Sequence, residues 1–156
     1  MPFVHLVIAL ALVEFLLFCW AVARARVRYN IPAPATTGNE AFERYFRVQM
    51  NTLEQLVIFV PSVLLFARYV NAYVAAALGV VFLIGRASYF QGYVRSPQAR
   101  HTGFMLTAIP NLALLIGAII GAIVALSARA GSPRRGAAVS LIGRRAAPQG
   151  ARQRHE

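Results

Sequence analysis

Four stretches of this chain are each long and apolar enough to cross a bilayer as a helix, which takes about 20 predominantly apolar residues. They cover residues 2–23 (PFVHLVIALALVEFLLFCWAVA), about 40–69, about 71–94 and about 101–126. Inside hydrocarbon the backbone has no water to bond, so a spanning segment must satisfy its own N–H and C=O groups. The fold class that follows is all-α: an integral membrane four-helix bundle. Composition agrees, with 58% hydrophobic and 13% charged residues and a mean hydropathy of +0.58. A soluble domain is nearer half apolar and about twice as charged. One membrane domain, residues 1–128, accounts for all four spans of this 156-residue chain.

The first span has only a superficial likeness to a secretory signal. Its start carries no Lys or Arg, and Arg24, Arg26 and Arg28 follow the apolar run, so a retained helix is expected. The net charge of +11 comes from 16 Arg and no Lys, and seven of the Arg fall in residues 129–156. That tail is otherwise rich in Gly, Pro, Ala and polar residues, which predicts disorder. No aromatic residues interleave with its arginines, which argues against nucleic acid as a partner. Attraction to anionic lipid headgroups is the simpler account. Cys19 is the lone cysteine, so neither a disulfide framework nor a metal-type cysteine spacing exists. His5 and His101 lack a third metal-type partner and read as interfacial residues, so no metal is expected.

Arginines near span ends number seven on the side of loops one and three (24, 26, 28, 44, 47, 95, 100) and four on the other (68, 129, 134, 135). The positive-inside rule then puts loops one and three in the cytoplasm. With Arg26, Arg47 and Arg100 set aside for function, the two sides tie at four. Pro110 predicts a kink in the fourth helix, and GAIIG (117–121) offers a small-xxx-small pair for close helix approach.

The second span is too long for hydrocarbon alone, and its start is polar. In RVQMNTLEQ (47–55), Arg47, Asn51 and Glu54 recur at i, i+4 and i+7, one face of a helix. Glu43 and Arg44 extend the zone. At the end of the third span Arg86, Tyr89 and Tyr93 recur at i, i+3 and i+7, and Arg100 follows Pro97. Loops one and three leave the bundle on the same side, so both groups sit at one membrane depth and are expected to line one pocket. Its guanidiniums suit carboxylates, Glu54 suits an ammonium, and Asn51 and the tyrosines offer neutral bonds. The bland alternative has Arg47 and Glu54 neutralising each other, with the tyrosines as an interfacial belt. Arginines exceed the acids available to pair with them, which favours an anionic ligand.

PAPATTGNEAFERYFRVQMNTLEQ (32–55) and GRASYFQGYVRSPQAR (85–100) resemble the second-helix and third-helix signatures of the membrane-associated proteins in eicosanoid and glutathione metabolism, the MAPEG family. The likeness runs from about residue 4 to 127 without gaps through both motifs. It is to the branch of leukotriene C synthase and microsomal glutathione transferases. It implies a homotrimer of four-helix subunits with glutathione, a co-substrate, held between neighbours near one membrane face. Position by position, Arg47, Asn51, Glu54, Tyr89 and Tyr93 match glutathione contacts, and Arg26 and Gln49 match contacts made across the subunit boundary. Arg100 matches the arginine that activates the glutathione thiol, which the family's non-catalytic lipid-presenting branch lacks. The resemblance thus implies a glutathione transferase or glutathione-dependent peroxidase acting on hydrophobic electrophiles or lipid hydroperoxides. Two positions depart from leukotriene synthase: Gln55 replaces an aromatic residue, and Val27 replaces a second arginine. Rival readings are a catalytically silent lipid-binding scaffold of the same family, and a small four-helix multidrug transporter using Glu14, which lies midway through the first span.

Overall fold

The computed structural model describes residues 1–96 and 101–130. Four helices follow one another: α1 (Pro2–Arg28), α2 (Glu40–Tyr69), α3 (Ala72–Arg95) and α4 (His101–Ala130). All four are long and apolar enough to cross a membrane, and no strand occurs among the described residues. The protein is an all-α, multi-pass membrane bundle. The arginine-rich tail expected beyond α4 lies outside the described residues from 131 on.

The helix ends are written in the sequence. Asn39 accepts from the backbone N–H groups of Ala41 (2.9 Å) and Phe42 (3.2 Å) and so starts α2. Asn71 repeats this for α3, accepting from Tyr73 (2.8 Å) and Val74 (3.1 Å). Such caps satisfy N–H groups that have no partner inside the helix. Only Val70 and Asn71 separate α2 from α3, so these two helices form a tight antiparallel pair. Loop one is ordered by its own bonds: Gly38 takes a φ of 124° that only glycine adopts at little cost, and its N–H donates to Glu43 Oε1 at 3.1 Å.

α1 runs five residues beyond its apolar stretch, which puts Arg24, Arg26 and Arg28 on its last turns rather than in the loop. Cationic side chains are favourable at a helix C-terminus. Arg24 also lies over the Trp20 ring at 4.5 Å, and Arg28 over Tyr29 at 5.6 Å. α4 continues through Pro110, and α2 through Pro61.

Within residues 1–123 the core centres on Phe59 and Phe82, whose rings stack at 3.9 Å between centroids. Val4, Val7, Val63, Ala75, Leu114 and Ala118 close around them. The opposite faces remain apolar and exposed, with Leu6, Leu10, Val13 and Leu17 on α1 and Ile109, Leu112, Ile116 and Ile120 on α4. Exposed apolar rows on spanning helices are what hydrocarbon contact requires.

α4 approaches its neighbours through glycines. A Cβ on Gly85 would meet the backbone carbon of Leu106 at 2.7 Å, and one on Gly103 would strike the backbone of Tyr89. The GAIIG pair works as read: Gly117 packs on the Phe66 ring, and a Cβ on Gly121 would meet Tyr69 Cβ at 2.8 Å. Backbone cannot yield as a side-chain tip can, so Gly85→Ala should destabilise the bundle by about 1–3 kcal/mol through overpacking. Thermal melting in detergent checks this, and a melting temperature equal to wild type would contradict the α3–α4 contact.

Candidate functional site

α2 is amphipathic at its start because Val48 and Thr52 are buried while Arg47 and Glu54 are exposed. The exposed edge of that turn lines a hollow of about 280 Å³, walled by Thr36 and Thr37 of loop one and by Glu43, Phe46, Arg47, Met50, Asn51 and Glu54 of α2. The i, i+4, i+7 spacing thus brings Arg47, Asn51 and Glu54 to one cavity. A larger hollow of about 580 Å³ lies at the end of α1, lined among others by Trp20, Arg24, Arg28 and Tyr45. The smaller one holds the richer chemistry.

Arg47 and Glu54 do not neutralise each other. Among the described residues the one ion pair within 4.0 Å joins Arg44 to Glu40, at 3.6 Å. Arg47 and Glu54 both line the cavity, one cation and one carboxylate with no ion pair between them. The loop wall is fixed partly by Glu43, whose carboxylate takes the Gly38 N–H.

Behind the cavity stands a buried polar layer. Asn51 Nδ2 donates to the Tyr89 hydroxyl at 2.7 Å. Tyr89 stacks on Tyr93 at 5.6 Å, and both phenols are buried, at 3% and 7% exposure. Through Tyr89, α3 supports the Asn51 wall of the hollow. Arg86, at 1% exposure, donates from Nη2 to Thr52 Oγ1 at 2.5 Å and lies 4.4 Å over the Tyr89 ring. Thr52 in turn donates to the Val48 carbonyl at 2.6 Å. The sequence pattern puts Arg86 on the face of Tyr89 and Tyr93, but its depth depends on the α2–α3 contact.

The other candidate residues are engaged within their own chain. Arg26 Nη1 donates to the Ala35 carbonyl at 2.6 Å and stacks on Phe42 at 4.8 Å, which ties loop one to α1. Gln49 Nε2 reaches Cys19 Sγ at 3.5 Å. Gln55 accepts from Asn111 Nδ2 at 2.9 Å through its own amide oxygen. That position is an α2–α4 tie. Arg100 lies outside the described residues, immediately before His101, the first residue of α4. No group of three His, Cys, Asp or Glu able to hold a metal occurs among the described residues.

The family sequence profile described as MAPEG matches residues 4–120. The chain belongs to the MAPEG family. Among its relatives, an uncharacterized protein of Synechocystis sp. is 46% identical over 115 residues, covering 74% of this chain and 84% of that one. Mouse microsomal glutathione S-transferase 2 is 41% identical over 103 residues, covering 63% of this chain and 70% of the relative. Mouse leukotriene C4 synthase is 34% identical over 107 residues, covering 69% and 71%. The residues matched by the family profile, 4–120, hold both polar groups.

Unpaired cavity charges and paired buried groups should respond differently to substitution. Thr52→Val removes the acceptor of a buried guanidinium and should cost about 1.5–3 kcal/mol. Arg47→Ala, which breaks no bond in the free protein, should stay within about 0.5 kcal/mol of wild type. Melting curves of the ligand-free variants in one detergent decide between these. Equal losses would contradict the division.

Proposed function

We propose that this protein is a membrane-bound glutathione transferase that holds glutathione against the start of α2. The observation carrying the proposal is that Arg47, Asn51 and Glu54 line one hollow with Arg47 and Glu54 unpaired. Glutathione is a small, flexible molecule with two carboxylates, one ammonium and a thiol. Arg47 is suited to a carboxylate through charge-assisted hydrogen bonds, Glu54 to the ammonium, and Asn51 to a peptide group. Relatives named as a glutathione transferase and leukotriene C4 synthase support the co-substrate.

The hollow of one subunit, about 280 Å³, is at the small end for a ligand site. A homotrimer supplies the rest, with Arg26 and Gln49 of a neighbour closing the cavity. It also withdraws Arg47 from lipid, where an isolated charge costs several kcal/mol. Cross-linking in mild detergent should trap trimers, and a monomer alone would count against the assembly.

The chemistry requires a thiolate, since the protonated thiol is a poor nucleophile. Arg100 is the residue assigned to hold it. A guanidinium nearby favours the charged form of the thiol and, staying protonated itself, does not take the proton. The start of α4 adds the partial positive charge of unsatisfied N–H groups. The thiol proton passes to solvent, the sulfur attacks the electrophilic carbon of a hydrophobic substrate arriving from the membrane, and a C–S bond forms as the leaving group departs with its electron pair. Lipid hydroperoxides fit the same thiolate: sulfur attacks the terminal peroxide oxygen, the O–O bond breaks, and the lipid alkoxide leaves to be protonated to the alcohol. The glutathione sulfenic acid so formed reacts with a second glutathione to give the disulfide and water. Gln55 and Val27, where leukotriene synthase has an aromatic residue and an arginine, favour a broad electrophile range over leukotriene synthesis. Loops one and three, and with them the site, are assigned to the cytoplasmic side.

Arg47→Ala should weaken glutathione binding by about 1.5–3 kcal/mol, read by titration calorimetry in detergent. Wild-type affinity in this variant would sink the cradle. Arg100→Ala should lower turnover about 10²-fold or more, the scale of losing one preorganised electrostatic group, with glutathione affinity little changed. The ultraviolet absorbance of bound thiolate should then titrate at higher pH. Unchanged turnover and titration would make Arg100 a structural or lipid-contacting residue. A silent scaffold is ruled in by glutathione binding without turnover of any electrophile. A transporter is ruled in by proton flux that Glu14→Gln abolishes.

A further inference from the structure

Glu14 is a carboxylate midway along α1 that the proposed chemistry does not use. The other four acidic residues of the chain lie at positions 40, 43, 54 and 156, so Glu14 alone sits at mid-span. Charge at that depth is costly and persists where it has a partner and a purpose. Its partner is set by helix register. α1 and α3 run parallel, and two contacts fix their offset. Val7 packs on Gly79, where a Cβ would meet its Cγ1 at 2.5 Å, and Phe18 stacks on Phe90 at 4.6 Å between ring centroids. Glu14 and Arg86 stand between these contacts at the same offset. Glu14 is half-buried and Arg86 is 1% exposed.

Arg86 is the branch point beyond. It bonds Thr52 of α2 at 2.5 Å and covers the ring of Tyr89 at 4.4 Å. Tyr89 accepts from Asn51, a wall of the candidate cavity. Thr52 satisfies only Nη2, and Arg86 Nε has no hydrogen-bond partner among the described residues. A guanidinium so lightly bonded needs a further restraint to keep one position, and the α1 carboxylate at the same helical offset is the group placed to supply it. We propose that Glu14 is a positioning residue for the glutathione site, acting through Arg86 to fix Tyr89 and thereby Asn51. This rests on the glutathione reading given above. It assigns the mid-span carboxylate to site geometry rather than to transport or to stability alone.

The test uses full-length protein in detergent, with glutathione titrated by calorimetry and turnover measured with 1-chloro-2,4-dinitrobenzene. Glu14→Gln should raise the glutathione Kd and KM about 5- to 10-fold, the scale of coupling between contacting residues, with kcat at saturating glutathione within about twofold. Glu14→Asp should recover most of the affinity. On an Arg86→Met background, Glu14→Gln should add no further loss. Arg86→Gln serves as that background if Arg86→Met does not fold. A lower melting temperature with wild-type Kd in the folded fraction of Glu14→Gln would overturn the proposal, because a purely stabilising residue behaves that way. Equal added losses on both backgrounds would overturn the route through Arg86. If wild type binds glutathione and the variants match it, this inference alone fails. If wild type does not bind glutathione, the proposed function fails and this inference with it.

Discussion

A guanidinium at 1% exposure inside a bundle surrounded by hydrocarbon is the constraint on which the arrangement around Arg86 turns. A buried cation without compensation is among the least favourable states a membrane helix can adopt. Arg86 is compensated from two directions: the Thr52 hydroxyl of α2 and the face of Tyr89 one turn along α3. Thr52 can accept from Arg86 because its own proton goes to the Val48 carbonyl. These polar groups are shared between α2 and α3, which holds the two helices in one register at this level. Stacked Phe59 and Phe82 fill the apolar layer below. Close glycine contacts then let α4 lie against α2 and α3.

Polar residues divide by depth into two kinds. The deep ones have partners: Arg86 with Thr52, Tyr89 with Asn51, Asn111 with Gln55. Those at the start of α2 do not, since Arg47 and Glu54 meet the cavity without an ion pair between them. An unpaired charge costs little where it faces a cavity that water reaches rather than lipid. The same charge becomes valuable when a ligand of opposite sign displaces that water in a partly enclosed hollow. Asn51 belongs to both kinds, bonded to Tyr89 behind and open to the cavity in front. It is the point at which the rigid interior meets the binding surface.

Much of this was legible in the residues. α2 begins and ends at Glu40 and Tyr69, as expected, because Asn39 caps it and its polar-to-apolar change is abrupt. The i, i+4, i+7 spacing of Arg47, Asn51 and Glu54 needed only helix geometry. Tertiary partners were less readable. Hydropathy stopped α1 at the end of its apolar run, yet the helix carries three arginines further because favourable end charges and stacking on Trp20 and Tyr29 sustain it. Spacing puts Tyr89 and Tyr93 on one face but gives no depth, and both are buried. Gln55 was visible as a departure from leukotriene synthase, but its bond to Asn111 joins residues 56 positions apart. Arg26 with Ala35 and Gln49 with Cys19 are of the same sort.

The central claim is that glutathione occupies the hollow at the start of α2, and thiol labelling tests it most directly. Cys19 is the single cysteine, so Cys19→Ser gives a background without reactive thiols. Met50→Cys places one in the cavity wall, and Tyr73→Cys places a control at the opposite end of the bundle, on a residue 72% exposed. Labelling by a charged maleimide is then timed with and without S-methylglutathione, which cannot itself react with the reagent. The account predicts concentration-dependent slowing at position 50 and none at position 73. Labelling at position 50 that stays at its ligand-free rate under saturating S-methylglutathione would contradict it.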